Sequence, residues 1–202
     1  MAVLDRVLGT PWVYEYIRPL ATGGIDYSRA YQRLRCDASS VVLDLGCGTG
    51  DALRYLTVFD SYLGIDTDER ATRYATSRWQ GRSNARFESR FCTPDDVRTI
   101  APTHVAMMGL LHHLDDDQVV ETLEMMRRSA RLTRVLTLDI VYLPGHPYNN
   151  FLARLDRGRF CREEASYVAL AERSGLRIVE RIIEKSHPTW GLVKYIILVL
   201  EP

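Results

Sequence analysis

The sequence predicts an α/β fold: a mostly parallel sheet of seven strands with helices on both faces, an antiparallel C-terminal hairpin and an N-terminal helical cap. Three observations carry this reading. Short apolar runs alternate with longer amphipathic stretches, the pattern of βαβ units around a parallel sheet. A glycine cluster, Asp44-Leu-Gly-Cys-Gly-Thr-Gly50, follows an apolar run and leads into a helical stretch. The last two apolar runs are joined by a link too short for a crossover helix, so they pair antiparallel. A chain of 202 residues suits one such domain.

Residues 1–38 are expected to form the cap, with helices near Pro11–Leu20 and Ser28–Arg35, folded over the carboxyl edge of the sheet as part of the same domain. Residues 39–202 form the main body. Its first strand is Val41–Leu45, followed by a helix from Asp51 to about Val58. Tyr62–Ile65 is the second strand, and a helix runs from about Asp68 to Trp79. Ala85–Glu88 and His104–Met108 are the third and fourth strands; a helix from about Asp116 to Arg131 leads to the fifth, Arg134–Tyr142. Leu143–Asn150, with two prolines and a glycine, reads as a loop, and loops at this edge of an α/β sheet tend to carry function. A helix near Glu163–Ser174 stops at Gly175, a residue suited to the left-handed C′ position. Arg177–Glu184 and Leu192–Leu200 make the final hairpin.

Composition narrows the function classes. Lys+Arg and Asp+Glu each count 26, without the basic excess expected of a phosphate-binding surface, so no nucleic-acid partner is expected. Arg127, Arg128, Arg131 and Arg134 read as a basic helix C-terminus rather than a binding patch. Cys36, Cys47, Cys92 and Cys161 form no C-x-x-C pair, which argues against a zinc site or a disulfide framework; no metal is expected, and the compartment is reducing. The N-terminus lacks signal-peptide character, and Tyr195–Leu200 is far too short to span a bilayer. A cytoplasmic protein without a membrane partner, monomeric or homodimeric, is the expectation.

The glycine cluster lets the chain turn tightly and lets a ligand approach the backbone, while the following N–H groups favour a phosphate or a carboxylate. The dinucleotide fingerprint requires a small residue where Asp51 stands; a carboxylate there repels a pyrophosphate, which disfavours an NAD-dependent oxidoreductase. No G-K-[ST] follows, so a P-loop is excluded. Asp66, ending the second strand, can accept hydrogen bonds from a ribose diol or cap the next helix. Alone the two roles weigh evenly; beside the glycine loop the ribose reading prevails.

Val42-Leu-Asp-Leu-Gly-Cys-Gly-Thr-Gly50 resembles the first motif of class I S-adenosylmethionine (SAM)-dependent methyltransferases, a Rossmann-like fold, and Leu63-Gly-Ile-Asp66 resembles the second. Met108-Gly-Leu-Leu-His-His-Leu-Asp115 resembles the end of the family's fourth strand, and Asp156-Arg-Gly-Arg-Phe-Cys-Arg162 is similar to a segment of small bacterial members. The resemblance runs from about residue 38 to the C-terminus. It implies that SAM is the cofactor and S-adenosylhomocysteine the product. The backbone of Gly46, Cys47, Gly48 and Gly50 would face the methionine part, with Asp44 near its amino group. Asp66, with Thr67 beside it, would hold the ribose; Phe91 and Cys92 would border the adenine; Met108 and Gly109 would close the methionine side. Many relatives carry an aspartate where Phe91 stands, so adenine recognition would rest on stacking and backbone, helped by Asp95.

An oxygen nucleophile of high pKa benefits from a base, and His112 and His113, following the fourth strand, are the candidates. Either can instead serve packing or helix capping. Tyr14, His146, Tyr148 and Asn149, with Tyr16, are candidate acceptor-pocket residues, because aromatic rings with polar tips suit a small, partly apolar substrate; Arg18 and Arg159 would suit an acidic one. Relatives that methylate base amines carry an Asn/Asp-Pro-Pro-aromatic tetrapeptide where Gly109-Leu-Leu-His112 stands here. A small-molecule acceptor is therefore expected over protein or tRNA. A catalytically inactive SAM-fold binding protein is the alternative from another class.

Overall fold

The computed structural model describes residues 26–156, 158–189 and 191–202. The expected helix at Pro11–Leu20, and with it Tyr14, Tyr16 and Arg18, lies outside the described residues. In chain order the elements are α1 (Ser28–Gln32), β1 (Val41–Leu45), β2 (Ser61–Asp66), α2 (Glu69–Arg78), β3 (Ala85–Ser89), α3 (Pro94–Ile100), β4 (His104–Met108), α4 (Asp116–Arg127), β5 (Arg134–Tyr142), α5 (Pro147–Leu155), β6 (Arg162–Glu163), α6 (Glu164–Arg173), β7 (Arg177–Lys185) and β8 (Lys194–Glu201).

The sheet order is β3-β2-β1-β4-β5-β8-β7. Pairs from β3 to β5 are parallel, and β8 pairs antiparallel with both β5 and β7. The chain winds outward from β1 to β3 and then restarts at β4 on the other side of β1. That reversal opens a crevice beyond the carboxyl ends of β1 and β4, where ligands of doubly wound sheets bind. β8 is apolar along its length and takes the inner place, whereas β7 exposes Arg177, Arg181 and Lys185 in an edge position that charge keeps from pairing further. The two-residue β6 adds an eighth strand to the seven expected, pairing Val141 with Arg162.

Alternation along the strands splits the core between the two faces. Leu43, Leu63, Val105 and Val135 pack on one side, with Leu123 of α4 and Leu170 of α6. Val42, Tyr62, Ala106 and Leu136 pack on the other, with Tyr31 of α1 and Ala153 of α5.

Several elements depart from the sequence reading. The helix expected from Asp51 to Val58 is a single 3₁₀ turn, Asp51–Arg54. β-branched Thr57 and Val58 continue a helix poorly, and Tyr55 leaves it to stack on Tyr31 at 5.4 Å. α3 was not anticipated, although Thr93 caps it, Asp96 returns the capping-box bond and Pro94 starts it. Leu143–Asn150 is not wholly loop: Pro147 opens α5 rather than breaking structure, because its missing N–H is an orphan at a helix start. α4 ends at Arg127, where Ser129 turns away to donate to the Pro102 carbonyl. No described helix is long and apolar enough to cross a membrane.

Candidate active site

β1 delivers the chain into a loop that hooks back onto β2: the N–H groups of Gly46 and Cys47 both donate to the Ile65 carbonyl, at 2.8 and 3.2 Å. Gly46, Gly48 and Gly50 have φ of 70°, 51° and 73°, a region that L side chains rarely adopt. Their surroundings differ. A Cβ on Gly48 would meet nothing within 4 Å, because this residue faces open space. A Cβ on Gly50 would lie 2.8 Å from the Phe87 ring, so this glycine permits packing against the sheet behind the loop.

The open space is a cleft of about 630 Å³, within the size range of nucleotide and cofactor pockets. Gly46, Gly48, Asp66 and Thr67 form one wall; Phe91 and Cys92 form the rim; Met108, Gly109 and His113 form the other wall. Asp66 is the best-defined polar group. Its Oδ2 accepts the Gly48 N–H at 2.8 Å and its Oδ1 accepts the Asp68 N–H at 2.9 Å. Each oxygen retains lone pairs for a ligand, so the carboxylate is fixed in place and still able to accept two more hydrogen bonds. The helix-cap role falls to Asp68, which accepts from Arg70 and Ala71.

Three of the residues expected at the cofactor do not line the cleft. Gly50 packs behind the loop. Cys47 turns its thiol under Gly64, where a Cβ would stand 2.8 Å from Sγ, and burial raises that thiol far above its ordinary pKa. Asp44 lies beneath the loop, 2% exposed, and accepts the Tyr62 hydroxyl at 2.6 Å. Burial outweighs that hydrogen bond and pushes its carboxyl up to about 7. At the rim, Phe91 is 80% exposed, a bare ring at the cleft edge. Asp95 is no part of this rim; it pairs with Arg98 on the surface of α3. Arg90 holds the neighbouring Asp96 carboxyl low, at about 2, fixing the turn that carries Phe91. Asp51 is pinned by Arg78 at 3.0 Å and Arg54 at 3.1 Å at the start of the 3₁₀ turn, and a pyrophosphate there would meet this acid.

The two histidines have different surroundings. His113 is exposed and lines the cleft, while His112 is buried beneath it. The Nδ1 of His112 lies 2.7 Å from Asp139 Oδ1, which also accepts the His112 backbone N–H at 3.1 Å. Its Nε2 lies 3.1 Å from Asp156 Oδ1, close by distance but outside hydrogen-bond geometry. Burial alone would lower the ring's pKa; the two carboxylates outweigh it and hold it at about 9. Over the ring passes the segment 158–162. A Cβ on Gly158 would stand 2.0 Å from His112 Cδ2, so only glycine fits there. Arg162, 8% exposed, donates to the carbonyls of Leu111, Leu114 and Phe160 and pairs with Asp116. It clamps the wall that follows β4.

The expected acceptor residues are scattered. His146 Nε2 lies 3.2 Å from Lys194 Nζ, and Tyr148 is exposed on α5. Asn149 is buried, joining the Val141 carbonyl to the Lys194 N–H at 2.7 Å each, which ties β5 to β8. None of the three lines the cleft, and neither does Arg159. Residues not singled out from sequence include Asp139, Gly158, Leu114 and Met125. Only Asp139 carried a signal, a lone charge within the apolar run of β5; such a charge requires a buried partner.

The doubly wound order, with the glycine turn and the acid ending β2 beside the crevice, is the strand order of the methyltransferase fold. A family model described as a methyltransferase domain matches residues 42–132. The match makes the central part of this chain similar to methyltransferase domains. Among solved structures, a SAM-dependent methyltransferase from Aquifex aeolicus is similar at 17% identity and a TM-score of 0.64, covering 96% of this chain and 95% of that one. One from Methanosarcina mazei is 14% identical, with a TM-score of 0.62 and coverage of 82% and 93%. The mitomycin 7-O-methyltransferase MmcR is 19% identical, with a TM-score of 0.64 over 100% of this chain and 57% of its own. At these identities the likeness concerns fold. No curated protein matches this chain.

Proposed function

We propose that this chain transfers a methyl group from SAM to a small-molecule acceptor and releases S-adenosylhomocysteine. The observation that carries the reading is Asp66, locked by two backbone N–H groups with its remaining lone pairs open to the cleft beside the uncovered Gly48. Bound there, SAM supplies a sulfonium leaving group, so the hard chemistry belongs to the cofactor.

The chain's own residues bind, align and dry the site. Asp66 accepts the ribose hydroxyls, and Gly46 and Gly48 let the backbone approach without a Cβ between. Leu110, Leu114 and Met125 make the opposite wall apolar and exclude water from the displacement. His113 lines the cleft, within reach of an acceptor bound there, whereas His112 is too buried to touch one. A cleft of about 630 Å³ and a formal net charge of zero favour a small acceptor over a tRNA backbone.

Calorimetric titration with SAM, S-adenosylhomocysteine and NADH tests this directly. Micromolar binding of both sulfur compounds and none of NADH is expected, followed by turnover on an acceptor panel. NADH binding, or failure to bind either sulfur compound, overturns the cofactor assignment. Tight SAM binding without methyl transfer to any acceptor tried would favour the inactive binding protein.

A further inference from the structure

We propose that His112, His113 and Asp156 form a binding site for one divalent transition-metal ion of the zinc type at the His113 wall of the cleft. The placement deepens the methyltransferase reading, because an ion there would hold and acidify an acceptor hydroxyl; the binding itself does not depend on that reading.

The ligand atoms of the three residues all lie within 4.8 Å of one another. Nε2 of His112 is shielded from solvent and has no hydrogen-bond partner among the described residues, yet Asp156 Oδ1 stands only 3.1 Å away. An ion about 2.1 Å from both atoms would subtend about 95° at that separation, a natural angle between neighbouring ligands. Nδ1 of the same ring is held by Asp139 at 2.7 Å. A metal would displace the proton on Nε2 while Asp139 keeps the one on Nδ1, and histidine ligands of metals usually carry such a carboxylate on the far nitrogen. Asp139 would therefore be the outer support and Asp156 a direct ligand.

The third ligand completes the geometry on the open side. The His112 and His113 rings lie 4.2 Å apart, and His113 both lines the cleft and is exposed. An ion held by these three groups retains coordination positions facing the cleft, the arrangement of catalytic rather than structural sites. Two imidazoles and a carboxylate suit Zn²⁺, Co²⁺ or Ni²⁺ better than Mg²⁺, which prefers an all-oxygen shell. An acceptor alcohol or phenol reaching an open position would lose its proton more readily, and the resulting oxygen anion would attack the methyl carbon as the carbon–sulfur bond breaks. The electron pair of that bond goes to sulfur, and the proton goes to solvent water.

The test uses the whole protein stripped with a chelator. Equilibrium dialysis against Zn²⁺, with metal quantified per chain, is run beside Co²⁺ titration read by visible absorption. One equivalent bound, with a Co²⁺ spectrum showing nitrogen and oxygen ligation, is the expected result. His113→Ala, an exposed change compatible with folding, and Asp156→Asn should each weaken Zn²⁺ by about tenfold or more. Mg²⁺ should not compete. Absence of stoichiometric binding, or binding unaffected by both variants, overturns the proposal and leaves His112 and Asp156 an ordinary buried ion pair. SAM binding is measured in the same samples. Metal bound without SAM would sink the cofactor reading alone, and SAM bound without metal would sink this one.

Discussion

Asp66→Ala separates a ribose-binding carboxylate from a merely structural one. The wild-type carboxylate accepts the Gly48 and Asp68 N–H groups at 2.8 and 2.9 Å. Both bonds are lost in the variant, but the site is half-exposed and water replaces them, so the stability loss should be about 1–2 kcal/mol. The ribose bonds lie inside the cofactor complex, where water is excluded. Losing hydrogen bonds to a charged acceptor there should weaken SAM by about 1–3 kcal/mol, roughly 5- to 150-fold in Kd. Asp66→Asn is the companion. It keeps an acceptor for one backbone N–H while its amide cannot accept two ribose hydroxyls, so it should retain more stability than affinity. Thermal unfolding gives the first quantity and calorimetric titration the second. A variant that loses stability but binds SAM with wild-type affinity would show that the carboxylate only buttresses the loop, and the ribose assignment would fall.

The glycines should divide by environment. Gly48→Ala has room for its Cβ and only its positive φ against it, so it should fold with about 1–2 kcal/mol lost while SAM affinity collapses; Gly50→Ala, driven into Phe87, should unfold at markedly lower temperature. Normal SAM affinity in folded Gly48→Ala would refute the cleft assignment. Asp44→Asn tests the buried carboxyl, whose pKa of about 7 in the folded apoprotein exceeds the unfolded value near 4. A raised pKa means the stability tied to the proton is present below about pH 4 and is lost as pH rises through about 7. The variant should therefore match wild type at pH 4 and exceed it by about 2–4 kcal/mol at pH 8, and a pH-independent difference in denaturant melts would contradict this. Arg162→Ala strips donors from two carbonyls of the wall after β4, Leu111 and Leu114, and from the Phe160 carbonyl. It should cost about 3 kcal/mol or more in unfolding free energy and raise the KM for SAM; an unchanged KM in folded protein would separate the clamp from the cleft.

The sequence was most legible where one periodicity or one motif decided the answer. β1, β4 and β5 fall at their expected residues, because continuous apolar runs buried on both faces allow no other element. The failures are local contests that the pattern does not settle. Pro147 reads as a breaker and acts as a helix start; Thr57 and Val58 read as the end of a helix that the Tyr55–Tyr31 stack prevents. The layer under the cleft was almost invisible. Asp139, Asp156 and Arg162 lie far from His112 in the chain and meet it only because β5 and segment 158–162 converge beneath the wall after β4.

The two acids of the motifs show why a correct motif still leaves chemistry undecided. Asp44 and Asp66 each belong to a parallel strand beside the glycine loop, and sequence alone treats both as ligand-facing. Asp44 stands one residue before the end of β1, within the register that pairs it with Gly64, so the sheet and the loop close over it and its charge is penalised. Asp66 is the last residue of β2, and its carboxylate reaches past the sheet edge to meet N–H groups instead of apolar neighbours. A shift of two residues in register toward the carboxyl edge thus separates a carboxyl that burial drives toward neutrality from a carboxylate offered to a ligand. Within this cleft, distance from the sheet edge, more than residue type, determines which acid can bind.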